Sequence, residues 1–325
     1  MFLRFLGVLI RMAVHPLPSV EMHWRWPGTW PEAAFKPLAG IISEAIFKRY
    51  WQYMPIPGLS EAESNDDPAP STNSLMYKHT KKLVKACCDT WQDVWSPGEY
   101  ITVDEHMVFW TGTGEMHITY LPRKPTPFGI EIKSACCGIS NVVLNLDLVE
   151  GKHLDALKKW RDEVGATTAC TLRLCEPWKG TGRTVVGDSW FGSCNTAEWL
   201  MDTLGLHSIL AIKTGHAGYP KASMIAAVEG ERFKSHFKKI EVELDSGVRT
   251  FYAGAHMDKK PMLLVVSCAT SLPGEEIKRN RREFINNELV RTSYTCSQPN
   301  MHDLYRKHFN SIDLSNRACF GTYTI

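Results

Sequence analysis

The sequence predicts an α/β protein in two parts: a mainly helical region over residues 1–100, then a strand-rich domain over 101–325. Three observations carry this. Phe2, Phe5, Leu6, Leu9 and Ile10 recur at the spacing of one helix face. After Tyr100 the pattern changes to short β-branched or alternating runs separated by Pro and Gly turns. Two of those runs, Ile101-Thr102-Val103 and Val185-Val186-Gly187, lead straight into an aspartate, Asp104 and Asp188.

The opening run is broken by Arg4 and Arg11 and is followed by no small-residue cleavage site, so it reads as a core helix and not as a signal peptide. It is also far short of the roughly 20 apolar residues that span a bilayer. The chain is therefore expected to be neither secreted nor membrane-bound. A second helix is predicted across Phe35–Tyr53. Residues 57–74, PGLSEAESNDDPAPSTNS, combine Pro, Ser and acids with almost no apolar content and read as a linker. A third helix, Leu75–Trp95, stops at the turn Ser96-Pro97-Gly98.

Strands are then predicted at 101–103, 116–121, 129–134 and 142–148, followed by a helix at 154–164. A short strand at 184–186 precedes a helix at 194–204 that Ser193 can cap. Another strand follows at 208–212. Residues 240–271 hold at least three strand-like runs, 275–291 are charged and read as helix or loop, and 302–316 close the chain as helix. No internal repeat is visible.

Lys and Arg total 37 against 35 Asp and Glu in 325 residues, a net charge of +2. That excludes a polycation, so any nucleic-acid contact must rest on local clusters. One cluster is Arg123, Lys124 and Lys133. A second is Lys234, Lys238 and Lys239, interleaved with Phe233 and Phe237. A third is Lys278, Arg279, Arg281 and Arg282, which also resembles a nuclear-localisation run. Each reads equally as a solvated face. The ten cysteines contain no C-x-x-C, so no zinc site is expected, and adjacent pairs such as Cys87-Cys88 suit buried thiols in a reducing compartment.

Carboxylates at strand ends of an α/β sheet lie at the rim where ligands bind. A lone strand-end Asp also serves as a cap or turn residue. Spacing alone leaves both readings open for Asp104 and Asp188. Glu105 is expected on the opposite side of its strand from Asp104.

Longer blocks carry a family resemblance. Residues 98–107 read GEYITVDEHM and 121–133 read LPRKPTPFGIEIK; residues 176–200 read EPWKGTGRTVVGDSWFGSCNTAEWL. The N-terminal stretch FLGVLIRMAVHPLPSVEMHW forms a third block. Together, with the N-terminal block first along the chain, they resemble the piggyBac transposase family. In that family a third acid lies in a GGVD-x-x-D segment, and Asp313 matches its first Asp. Asn310 and Ser311 stand where the family has two glycines, and Asn316 stands for its second Asp. Asp303 is the alternative third acid.

The resemblance implies an RNase H-like catalytic domain with a β-rich insertion at about 215–271. Asp104, Asp188 and Asp313 would be its catalytic, metal-binding acids, holding two Mg²⁺ or Mn²⁺ ions about 3.5–4 Å apart. All-oxygen ligation suits these hard cations. The implied reaction is DNA strand cleavage and transfer, with transposon ends and target DNA as partners, a homodimer as the working assembly and the nucleus as its location. Against the family pattern the chain is expected to be truncated at both ends. The alternative is therefore a catalytically inactive, domesticated or remnant transposase-derived DNA-binding protein.

Overall fold

A computed structural model describes residues 1–14, 20–25, 38–52, 72–109, 117–122, 124, 127–213, 218–285 and 288–320. The chain divides into two compact units: Met1–Cys87 together with Asp313–Ile325, and Cys88–Ile312.

In the first unit, α1 (Phe2–Val14) buries Phe5 and Val8 at the helical spacing read from the sequence. They pack with Leu38 and Ile42 and with Phe47 of α2 (Glu44–Gln52). The Phe5 and Phe47 rings lie 5.1 Å apart, and Trp24 Nε1 donates to the Ile42 carbonyl at 2.7 Å. The second helix is shorter than predicted, and residues 26–37 lie outside the described set. Most of the predicted linker does too; its last residues, 72–74, already belong to α3 (Thr72–Val94).

The second unit is built on a mixed sheet. Its strands are β1 (Tyr100–Phe109), β2 (Ile118–Tyr120), β3 (Phe128–Cys137), β4 (Val143–Leu148), β5 (Thr184–Gly187), β6 (His207–Ala211), β7 (Ser235–Leu244), β8 (Gly247–Met257) and β9 (Pro261–Val266). The order is β3-β1-β5-β6-β9-β8-β7, with β2 and β4 sharing the far edge of β3. β1 pairs antiparallel with β3 but parallel with β5, and β5 is parallel to β6. β9, β8 and β7 extend the sheet as an antiparallel meander.

Between β4 and β5 lie α4 (Gly151–Ala156), α5 (Arg161–Val164) and α6 (Ala166–Cys175). The single helix expected at 154–164 is broken by Trp160, whose φ of 63° is left-handed. α7 (Cys194–Leu204) joins β5 to β6 and is capped as expected, Ser193 Oγ accepting from the Thr196 N–H at 2.9 Å. α8 (Lys221–Val228) precedes the meander.

Both faces of the central strands are covered, and β5 is buried along its whole length. Val185 packs with Leu172 of α6 and Leu200 of α7. Its neighbour Val186 packs on the other face with Met301 and Tyr305, which belong to α9 (Asn300–His308). Thr102 Oγ1 donates to the His308 carbonyl at 2.8 Å and the His308 ring stacks on Tyr100 at 4.0 Å, so α9 is tied to the start of β1. α10 (Ser311–Phe320) follows. The described cysteines are free thiols.

One segment departs from expectation. The described residues of 275–291, a segment read as helix or loop, lie in a two-stranded ribbon of β10 (Pro273–Ile285) and β11 (Glu288–Pro299). Lys, Arg and Glu are good helix formers. Cross-strand pairing overrides that local preference here.

Candidate metal centre

The parallel ladder between β1 and β5 runs from Tyr100↔Thr184 to Val103↔Gly187 and stops there. Asp104 and Asp188 are the next residue on each strand. Both carboxylates therefore emerge together where the pairing of two neighbouring parallel strands stops. Asp188 turns at once: its Oδ1 accepts the Trp190 N–H at 2.8 Å, an Asx turn, and its carbonyl accepts from Gly192 at 2.9 Å. Asp104 is not at the end of its strand, as its sequence placement suggested. β1 continues to Phe109 because β3 pairs with it throughout; what ends at Val103 is the flank provided by β5.

Asp104, Glu105 and Asp188 each offer a carboxylate oxygen, and the three oxygens lie within 4.8 Å of one another. The expectation that Glu105 points away from Asp104 is thus corrected. No β5 residue flanks Glu105, and its longer side chain reaches the same cluster. Burial pushes the Asp104 carboxyl up to about 7, and the neighbouring Glu105 and Asp188 charges add to the rise. Glu105 is held below its usual range: burial raises it, but Lys133 and Lys124 outweigh that.

Those two lysines define one wall. Lys124 Nζ lies 3.1 Å from Glu105 Oε1 and also donates to the Glu105 carbonyl. Lys133 is buried, pairs with Glu131 at 2.7 Å, and sits 3.5 Å from the centre of the Trp190 ring. Glu105 Oε2 is buried with no hydrogen-bond donor among the described residues, and Lys133 Nζ lies 3.9 Å from it. A buried carboxylate oxygen without a donor, in a set of hard oxygen ligands, fits a Mg²⁺ or Mn²⁺ ion. Tyr305 of α9 is buried close enough to Asp188 and Asp104 that their charges, after burial itself, push its phenol up.

A family profile described as Transposase IS4 matches residues 2–324. The chain belongs to this transposase family. No curated protein matches it. Among solved structures, it is similar to a chain of the piggyBac transposase synaptic complex with hairpin DNA. The TM-score is 0.67 at 16% identity, over 98% of this chain and 58% of that one. The transposase-family chain thus spans little more than half the length of that solved relative, and it shares its RNase H-like fold.

The other residues singled out in the transposase-family sequence fall as follows. Asp313 is exposed in the first turn of α10 and belongs to the first compact unit, whereas Asp104 and Asp188 belong to the second. Asp303 lies in the first turn of α9, its Cβ against Gly274 at the base of the β10–β11 ribbon. Arg123 lies outside the described residues. Lys124 and Lys133, read as phosphate contacts, are instead committed to the acidic cluster. Lys234 pairs with Glu231 at 3.2 Å, and Lys239 pairs with Glu241 at 2.6 Å. Lys238 and Lys239 lie exposed on β7, the edge strand, where lysines discourage sheet-to-sheet pairing. Lys278 and Arg282 are exposed on β10; the side chains of Arg279 and Arg281 are outside the described set. Among the described residues no helix is long and apolar enough to cross a membrane.

The clustered acids give a prediction for the metal-free transposase-family chain. Because the folded-state pKa of Asp104 is raised, the native state holds a proton between about pH 4 and 7 that the unfolded state does not. Its penalty is therefore greatest above pH 7 and is relieved as the pH falls. Asp104→Asn is expected to raise stability by about 2 kcal/mol at pH 8 in EDTA and to make little difference near pH 4. Urea unfolding at the two pH values reads this directly. A destabilised variant at pH 8 contradicts it.

Proposed function

We propose that the chain catalyses divalent-metal-dependent cleavage and transfer of DNA strands, with Asp104 and Asp188 as metal-binding acids. The observation that carries the reading is the convergence of carboxylate oxygens where the β1–β5 ladder stops. Family membership supports it, as does the likeness to a chain solved with hairpin DNA. Glu105, held ionised by Lys124 and Lys133, is the added member of the set.

When bound, divalent cations polarise the phosphoryl group and stabilise the attacking and leaving oxygens. The chain's own part is to hold the carboxylates in register. The β1–β5 ladder fixes the backbone, the Asx turn fixes Asp188, and the lysine wall with Trp190 keeps Glu105 charged and oriented. Asp104 carries the raised carboxyl of the cluster, so proton and cation compete for it. DNA is the proposed substrate, a second copy of the chain the proposed partner for joining two ends, and the nucleus the proposed location, in keeping with the basic run in β10.

The test is nicking of duplex DNA bearing the element's terminal repeats by the purified chain with Mg²⁺ or Mn²⁺. Metal-dependent nicking that disappears in Asp188→Asn supports the reading. Salt-sensitive DNA binding with no nicking under any metal replaces it with that of an inactive DNA-binding descendant.

A further inference from the structure

The β10–β11 ribbon gives the third basic cluster a face. Its register runs from Glu276↔Ser297 to Ile285↔Glu288, and directly opposed residues share one side of an antiparallel pair. Lys278, Arg282 and Arg291 fall on the same side, and every position on that side from Glu276 to Ser297 is exposed. Among the described residues none of the three cations has an ion-pair partner. Between them, Ser293 donates to Asn280 Oδ1 across the ribbon at 3.0 Å, a polar rung.

The other side is already occupied. Tyr294 accepts from Arg232 at 3.1 Å and its ring lies 5.7 Å from Phe233, while Arg232 pairs with Asp258 at 3.3 Å. Cys296 is buried on the same side. The ribbon is thus anchored through one face, and the cationic face is left to solvent.

At the distal end of that cationic face stand Phe284 and Leu289, opposite each other and 77% and 55% exposed. Charged side chains alone would protect a solvated ribbon; an exposed apolar pair beyond them has no such use. Lys278 and Arg282 are four residues apart, about 13 Å along a strand, or about four base-pair steps of duplex.

We propose that this face binds duplex DNA, Lys278, Arg282 and Arg291 contacting phosphates while Phe284 and Leu289 wedge against a base step at the tip. Unpaired cations, hydrogen-bonding side chains and an apolar wedge are together the chemistry of a ribbon that tracks and unstacks a duplex. The proposal rests on the DNA reading above, but its test needs no catalysis.

The full chain in EDTA is titrated at several salt concentrations against short duplexes carrying 2-aminopurine at successive positions. Wild type is expected to bind with a steep salt slope and to raise fluorescence at one or two positions. Arg282→Gln with Arg291→Gln is expected to lower the slope by about 2. Phe284→Ala with Leu289→Ala is expected to keep the slope but lose the fluorescence rise. An unchanged slope in the arginine variant overturns the phosphate contacts, and an unchanged rise in the tip variant overturns the wedge. If the arginine variant keeps its slope but alters concentration-dependent sedimentation, the face joins copies of the chain and the proposal fails. No DNA binding by wild type defeats both this proposal and the DNA reading, whereas binding that ignores the ribbon variants defeats this one alone.

Discussion

Asp188→Asn is expected to lower metal-dependent nicking by about three orders of magnitude while leaving the fold intact. The amide keeps the shape of the side chain and can still accept the Trp190 N–H that fixes the turn at 2.8 Å. It removes one negative charge from a set whose oxygens lie within 4.8 Å of one another. Loss of about 4 kcal/mol of transition-state charge stabilisation corresponds to about a thousandfold in rate. Glu105→Gln is expected to lower the rate less, because Lys124 and Lys133 already balance part of that charge. The comparison is made on the same duplex with the same ion, and equal nicking by wild type and Asp188→Asn sinks the assignment.

Gly192→Ala is expected to be the most damaging small substitution in the loop after β5. A Cβ there would sit 2.0 Å from the Ala211 carbonyl oxygen of β6 and 3.1 Å from the Asp188 carbonyl oxygen. Both obstacles are backbone, so no side chain can swing aside, and the turn must move. Overpacking of this kind costs about 3 kcal/mol or more. Because Gly192 N–H donates to the Asp188 carbonyl, the displacement also moves Asp188, a proposed metal ligand. Gly7→Ala is the contrast: nothing lies within 4 Å of its Cβ, and within α1 alanine is the better helix former by about 1 kcal/mol. Urea denaturation is expected to separate the two in opposite directions, and a neutral Gly192→Ala contradicts the packing described.

Much of the second unit was legible because its signals are local. Val185 and Val186 are β-branched on both faces of a doubly covered strand, and the Gly-Asp that follows marks where the ladder stops. The Ser193 cap could be read for the same reason. What escaped was set by pairing across distance. Asp104, Glu105 and His106 have poor strand propensity, yet they lie inside β1 because β3 pairs with them. Glu105 was misplaced because strict alternation assumes a strand flanked on both sides. Lys133 read as a free cation because nothing near it in sequence announces Trp190 or Glu105. The ribbon read as helix or loop because its residues are charged helix formers whose partners lie on the returning strand. The third acid is a different case: Asp313 follows from the family pattern alone.

The most direct test of the metal centre is calorimetric titration of the purified chain with Mn²⁺ at pH 8, where Asp104 is ionised, beside Asp188→Asn. The account predicts saturable binding by wild type and at least about a hundredfold weaker binding by the variant. Absence of binding by wild type, or equal affinity in the two, would contradict it.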